Sequence, residues 1–286
     1  MNDQVADPDE APSIEDGFTR VDAQPDPSVL TTGMEQTAQW PAVRTLRAWE
    51  REHLALAAGD RVVDVGCGLG DVATELAALV APGGELVAID ASNAMLDLAR
   101  ARVPDARRIT FRVGDAEALD LPDDAFDACR SERMLQWVDR PDRAIAEMVR
   151  VLRPDGRLVV TDTDWRTLSV DLPDVEAVTA TLDALMAFRG DQGRAGGRLL
   201  NLCRDSGLVD LDITAVAHVW TEWDVEREPS IPGFFPFRPT FAQLVDRGLL
   251  DADILDRFLD DIESAARADR LCISLTMLSV SGRVPQ

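Results

Sequence analysis

The sequence predicts a doubly wound α/β domain, a largely parallel sheet with helices on both faces. Three observations carry the prediction. Short apolar runs alternate with helical segments from residue 61 to residue 161, a glycine-rich turn follows the first run at once, and an acid closes the second run. Strands that are apolar on both faces belong to sheets covered on both sides, which is the parallel arrangement.

The elements follow in chain order. Residues 1–28 are rich in Asp, Pro and Glu and poor in large apolar groups. Such a stretch buries too little surface to offset its ordering entropy and is expected to be a disordered acidic tail. From Pro41 to Ala57 an apolar stripe (Val43, Leu46, Trp49, His53, Leu54, Leu56) predicts a helix. Arg61–Val65 is the first strand, Val72–Val80 a helix, and Leu86–Ile89 the second strand, ending at Asp90. A helix from Ser92 to Arg102 has Ser92 as its N-cap. Ile109–Val113 and Phe126–Cys129 are strands, Pro141–Leu152 a helix, and Arg157–Thr161 the fifth strand after the break at Pro154-Asp155-Gly156. Beyond these, Pro173–Phe188 reads as a helix and Leu208–Trp220 as a long strand. Helical segments lie near Thr240–Val245 and Ala252–Ala268, and Cys272–Val280 is a last strand.

Composition narrows the function. With 286 residues, 46% of them apolar, the chain can bury a sizeable core. The net charge is −23, and there is no lysine, so every basic side chain is arginine. A surface this acidic repels phosphate backbones, which argues against a nucleic-acid partner. Cys67, Cys129, Cys203 and Cys272 form no C-x-x-C pair. That argues against a disulfide framework and a zinc site, so no metal is expected and a reducing cytoplasm suits the chain. No apolar signal region or membrane-length apolar run is present, and a soluble cytoplasmic protein is expected.

The chemistry begins at Val63-Asp64-Val65-Gly66-Cys67-Gly68-Leu69-Gly70-Asp71. Glycines directly after a strand let backbone and ligand approach where no Cβ fits, and they open a helix whose amides face the ligand. A dinucleotide fingerprint reads G-x-G-x-x-G. Here the third glycine comes one residue early, which suits S-adenosylmethionine, a ligand with no pyrophosphate. Asp90, about twenty residues beyond the loop, is placed to accept two ribose hydroxyls. Gly114-Asp115-Ala116-Glu117 ends the third strand at the same rim, where the Asp115 carboxylate suits an adenine amino group and the Ala116 amide the ring.

These residues resemble the class I S-adenosylmethionine-dependent methyltransferases over roughly residues 40–165. The likeness is closest to the small-molecule branch that includes the ubiquinone/menaquinone-biosynthesis C-methyltransferases. Supporting it are Asp64–Gly70, Asp90-Ala91-Ser92 with Met95-Leu96, Gly114–Leu119, Phe126-Asp127 and Glu147–Gly156. The resemblance implies a Rossmann-like seven-stranded sheet with its last strand antiparallel and S-adenosylmethionine as cofactor. Residues 29–286 would form one domain with an N-terminal helical segment, and 222–268 a helical insertion over the pocket. Gly66, Gly68 and Gly70 would cradle the methionine part, Asp90 the ribose, Asp115 and Ala116 the adenine, and Met95 would pack on its face. Asp64, Cys67, Ala91 and Arg130 complete the cofactor-binding candidates. Asp155 stands where the family usually has a second glycine, far from the rim.

Methyl transfer from a sulfonium is an in-line displacement that alignment in a dry pocket can accelerate. A base is needed only where the nucleophile holds a proton of high pKa. Glu132 and His218 are the catalytic candidates, the latter as a neutral imidazole. Arg133, Gln136, Trp137, Asp164 and Trp165 are candidate substrate contacts, with Asp162 on the same rim. Trp165, Trp220, Trp223, Phe234, Phe235 and Phe237 point to a hydrophobic, planar small-molecule acceptor, although core packing explains them nearly as well. The reading is methylation at O, N or C of such an acceptor. The alternatives are a non-catalytic S-adenosylmethionine-binding module and an NAD-dependent oxidoreductase, the latter disfavoured by the early third glycine.

Overall fold

The computed structural model describes residues 18, 21–23, 28–103, 109–228, 230–234 and 237–286. Most of the expected tail and Phe235 lie outside the described residues. Two helices open the described fold, α1 (Ser28–Ala38) and α2 (Pro41–Leu54). The α2 stripe Ala42, Val43, Leu46, Glu50 and Leu54 is buried, and Ala55 ends the helix in a left-handed conformation, φ 44°.

A repeating unit follows: β1 (Arg61–Val65), α3 (Ala73–Leu79), β2 (Glu85–Asp90), α4 (Asn93–Arg102) and β3 (Ile109–Val113). Ser92 caps α4 as expected, its hydroxyl accepting the Met95 amide at 3.1 Å. Then come β4 (Phe126–Glu132), α5 (Pro141–Arg150), β5 (Leu152–Val170), α6 (Val175–Arg189), α7 (Ala195–Asp205) and β6 (Val209–Trp220). The last elements are α8 (Phe237–Asp246), α9 (Ala252–Arg267) and β7 (Ile273–Arg283).

The seven strands form one sheet in the order β3-β2-β1-β4-β5-β7-β6. β1 to β5 pair in parallel, while β7 runs antiparallel between β5 and β6. The expected Rossmann-like sheet with a reversed last strand is therefore present. Successive strands run outward from β1 in one direction and from β4 in the other, so the topological switch lies between them, and ligands of such sheets bind at the carboxyl ends there.

Alternation along β1 fixes the two faces. Val63 and Val65 pack with Ile145 and Met148 of α5 and Leu199 of α7, while Val62 packs with Ala73, Leu76 and Val80 on and beside α3. A third apolar cluster joins Trp40 to α6, α8, α9 and the outer end of β7.

Two helices went without a sequence signal. In α7 the pair Gly196-Gly197 reads against a helix, yet a Cβ at Gly196 would lie 2.7 Å from the Asp162 carbonyl oxygen. Gly196 lets α7 press on the β5 backbone, while Gly197 leaves room for the Asp164 and Arg166 side chains. α1 lay beside the acidic stretch and had no long apolar stripe.

Candidate active site at the switch point

The glycine loop is pinned before any ligand is considered. The Gly66 and Cys67 amides both donate to the Ile89 carbonyl, at 2.8 and 2.9 Å. Gly68 donates its amide to Asp90 Oδ2 at 2.8 Å, and the Ser92 amide donates to Oδ1 at 3.0 Å. Gly66 and Gly68 sit at φ 77° and 50°, where side chains strain the backbone. A Cβ there would come within 2.5 Å of the Met134 and Met34 side chains respectively. Burial pushes the Asp90 carboxyl up, against the pull of the two amides.

Loop and acid form one end of a 760 Å³ cavity, well within the roughly 300–1,000 Å³ range of small-molecule sites. Gly66, Gly68, Asp90, Ala91, Met95, Asp115 and Ala116 all lie on its wall. Asp64, Cys67, Gly70 and Arg130 do not. Gly70 makes room for Ala99 and Phe111, the nearest to a Cβ there at 3.3 and 3.5 Å. The half-buried Cys67 thiol lies 3.9 Å from the Gly68 carbonyl, and burial raises its pKa well above the usual value.

Beneath the loop lies an ion network that the sequence reading missed. Arg130 Nη1 donates to Asp64 Oδ1 at 3.0 Å, and Nη2 donates to Glu50 Oε2 at 2.9 Å and to Glu132 Oε2 at 2.8 Å. Arg47 grips both Glu132 oxygens at 2.8 and 2.9 Å. Burial raises Asp64 and Glu50. At Glu132 burial pushes the same way, but Arg47 and Arg130 outweigh it and hold the carboxyl well below its usual range. Arg130 is thus a buried strut at 4% exposure rather than a ligand contact. A glutamate at position 50, on the same stripe as Val43, Leu46 and Leu54, was the signal that could have found the network.

Part of the expected tail covers the cavity. Val21–Ala23 forms a 3-10 turn. Asp22 accepts the Ser92 hydroxyl and the Asn93 and Ala94 amides, the latter two at 3.0 and 3.1 Å. The Ser92 hydroxyl is the main reason its carboxyl titrates low. Val21 packs with Leu30, Leu69 and Met95, and Phe18 lies 5.1 Å from Trp137, ring to ring.

The other end of the cavity is aromatic. Trp40, Trp137, Trp165 and Phe234 line it, with Ile231 and Leu275. Trp165 donates its indole N–H to Gln136 Oε1 at 2.8 Å, and Arg189 donates to the same oxygen at 3.2 Å. The Arg189 guanidinium lies over Trp165 at 4.3 Å and Trp137 at 5.2 Å. Burial lowers its pKa to about 10, so it stays charged at neutral pH. Asp162, fully buried behind them, accepts the Gln136 and Thr163 amides at 3.1 and 2.7 Å, and burial pushes its pKa up to about 7. The 230–234 loop closes this end. Trp40 and Trp220 donate to the Pro232 carbonyl at 3.1 and 3.3 Å, and Gly233 donates to Gln36 at 2.7 Å.

A family profile described as a methyltransferase domain matches residues 63–160. Those residues span β1 to β5 and include the glycine loop, Asp90 and Asp115. An uncharacterised 37.1 kDa protein in transposon TN4556 of Streptomyces fradiae is 31% identical over 229 residues, 80% of this chain and 65% of that protein. The ubiquinone/menaquinone biosynthesis C-methyltransferase UbiE of Pseudomonas putida is 40% identical over 122 residues, 41% of this chain and 48% of that protein. The matched segment, β1 to β5, is similar to methyltransferase domains. The chain spans under two thirds of the first relative and about half of the second. Among solved structures, the phosphoethanolamine N-methyltransferase 2 of Haemonchus contortus in complex with S-adenosyl-L-methionine shares the fold. It has a TM-score of 0.59 at 17% identity and covers 94% of this chain and 60% of that one.

S-adenosylmethionine fits what the cavity presents. Two wall glycines lie where a Cβ would not fit, and the deep-set Asp90 carboxylate stands beside them on the same wall. The substrate candidates divide. Arg133, Gln136, Trp137 and Trp165 line the cavity, whereas Asp164 is turned away and held by Arg166 at 2.9 and 2.6 Å. Of the catalytic candidates, Glu132 reaches the wall with both oxygens taken. His218 does not reach it. Its ring stacks on Trp40 at 4.3 Å and meets the edge of Trp220 at 4.4 Å, and burial lowers its pKa. It props the aromatic wall from behind. His53 bonds Asp212 at 3.0 Å on the far side of α2.

Proposed function

We propose that this chain transfers the S-adenosylmethionine methyl group to a small apolar metabolite held at the aromatic end of the cavity. One observation carries the reading: a single 760 Å³ space joins the Gly66–Asp90 cradle to a wall of Trp40, Trp137, Trp165 and Phe234. The bound cofactor supplies an electrophilic methyl on a sulfonium, with a neutral leaving group. The chain's own part is alignment and exclusion of water. Gly66 and Gly68 admit the methionine portion, Asp90 accepts the ribose hydroxyls, and Asp115 with Ala116 meets the adenine. The 230–234 loop and the Val21–Ala23 turn shut the two ends.

Neither histidine nor Glu132 is offered as a base in this reading. His218 lies off the wall, and the paired arginines hold Glu132 ionised and occupied. Catalysis then rests on orientation in a dry pocket, which suffices for an acceptor that is already nucleophilic. The charge of −23 favours a small-molecule acceptor over nucleic acid. Among the described residues no helix is long and apolar enough to cross a membrane, and free cysteines fit a cytoplasmic setting.

The test is calorimetric titration with S-adenosylmethionine, S-adenosylhomocysteine and NADH, then S-adenosylhomocysteine release in the presence of apolar aryl acceptors. Binding of the sulfur nucleosides alone, with turnover on such acceptors, is the expected result. Turnover only on strongly polar acceptors, or none with any small molecule, would overturn the reading.

A further inference from the structure

We propose that the acceptor is a flat apolar anion whose carboxylate lies against Arg133 and Ser230. The inference rests on the aromatic end being the acceptor subsite and adds the sign and place of its polar handle.

Arg133 follows β4 on the cavity wall with its backbone at φ 56°, a region few side-chain-bearing residues occupy. Its amide donates to the Thr161 carbonyl at 2.7 Å, and its carbonyl accepts Gln136 Nε2 at 3.3 Å. Among the described residues the guanidinium donates no hydrogen bond, and its buried Nε has no hydrogen-bond partner. Its nearest acid is Glu132, whose Oε1 lies 3.5 Å from Nε and already accepts Arg47. Ser230 adds a second unmet group. It is 5% exposed, lines the same cavity, and among the described residues its hydroxyl has no partner. Buried hydroxyls and guanidinium N–H groups left unpaired are costly, so both call for oxygen acceptors on the ligand.

The sign comes from Arg189. It stands over Trp137 and Trp165 and takes up ring density that a cage for an ammonium acceptor would need free. Its charge instead adds to that of Arg133. Of the acids lining the cavity beyond Asp90 and Asp115, Glu132 is clamped by two arginines and Glu117 accepts Arg140. Asp139 is exposed and Glu228 is half-buried, while Asp162 is buried behind Gln136. Asp90 and Asp115 belong to the opposite end. A planar guanidinium on the wall of a cavity with an aromatic end matches a flat carboxylate best.

The experiment titrates the full chain, saturated with S-adenosylhomocysteine, with naphthylacetate and its neutral amide. The wild-type chain, Arg133→Gln and Ser230→Ala are compared. Wild type is expected to bind the carboxylate about tenfold or more tighter than the amide, the scale of a charge-assisted hydrogen bond. Arg133→Gln should erase that preference while keeping its S-adenosylhomocysteine affinity. Ser230→Ala should weaken the carboxylate a few-fold and leave the amide unchanged; it decides the matter if Arg133→Gln does not fold. Equal binding of the two probes, or a preference that survives Arg133→Gln, overturns the anionic handle and leaves the apolar subsite standing. Failure of both probes beside normal S-adenosylhomocysteine binding overturns the acceptor reading together with the inference.

Discussion

At Asp90 both carboxylate oxygens accept amides of the chain, one from the glycine loop and one from the turn into α4. The group proposed to meet the ribose is therefore also the one that sets the loop at its distance from the helix. Asp90→Ala should lower S-adenosylhomocysteine affinity about 10- to 100-fold, the scale of charge-assisted hydrogen bonds, with the fold retained; calorimetry and circular dichroism check both. Asp162 gives a pH signature. Folded, it keeps its proton up to about pH 7; unfolded, only to about pH 4. Between those values the folded state holds more protons, so stability falls as pH rises. Melting temperatures of wild type and Asp162→Asn should diverge across that window, and parallel curves would remove the assignment. Gly66, Gly68, Asp90 and Asp115 were legible in the sequence because a ligand cradle constrains residue type and spacing locally. Asp64, Cys67, Gly70 and Arg130 shared those motifs but serve packing and charge balance. Only the pairing of β1, β4 and α2 in space, which brings Arg47 and Glu50 to Arg130, distinguishes the two roles.

Among the elements, the first five strands were readable because each holds a short, mostly apolar run bounded by glycine, proline or acid. β5 runs on to Val170, past its expected end at Thr161, because antiparallel β7 lengthens the ladder to Ile273. Helix α7 was unreadable because its two glycines answer to the backbone and side chains of β5, which no local pattern reveals. Gly196→Val should destabilise the fold by about 1–3 kcal/mol through overpacking against that backbone, measurable by urea denaturation. The Val21–Ala23 turn was hidden for a related reason: its partners, the α4 amides and Met95, lie some seventy residues away. Asp22→Ala should speed S-adenosylhomocysteine dissociation several-fold and shift the melting temperature little, since an exposed cap contributes about 1 kcal/mol. Unchanged stopped-flow dissociation would show that the turn does not hold the cofactor.

The whole molecule carries −23 charges in 286 residues, enough for self-repulsion to oppose compaction. Many surface ion pairs offset little of this, because exposed pairs contribute about 0–1 kcal/mol each. Salt that shortens the Debye length to about 3–8 Å should therefore raise the melting temperature rather than lower it. A fall with added sodium chloride would mean that the ion pairs outweigh the net charge.

The buried cations have a further consequence. Arg47, Arg130 and Arg189 are guanidiniums, and even Arg189 holds its proton to about pH 10. These positive charges therefore outlast the carboxylates that balance them across the acid range. Alkali leaves them in place, while sufficient acid neutralises the carboxylates around Arg130 and strands two arginines beneath the glycine loop. Acid strong enough to protonate Glu132 thus removes the counter-charges that hold Arg47 and Arg130 beneath the glycine loop.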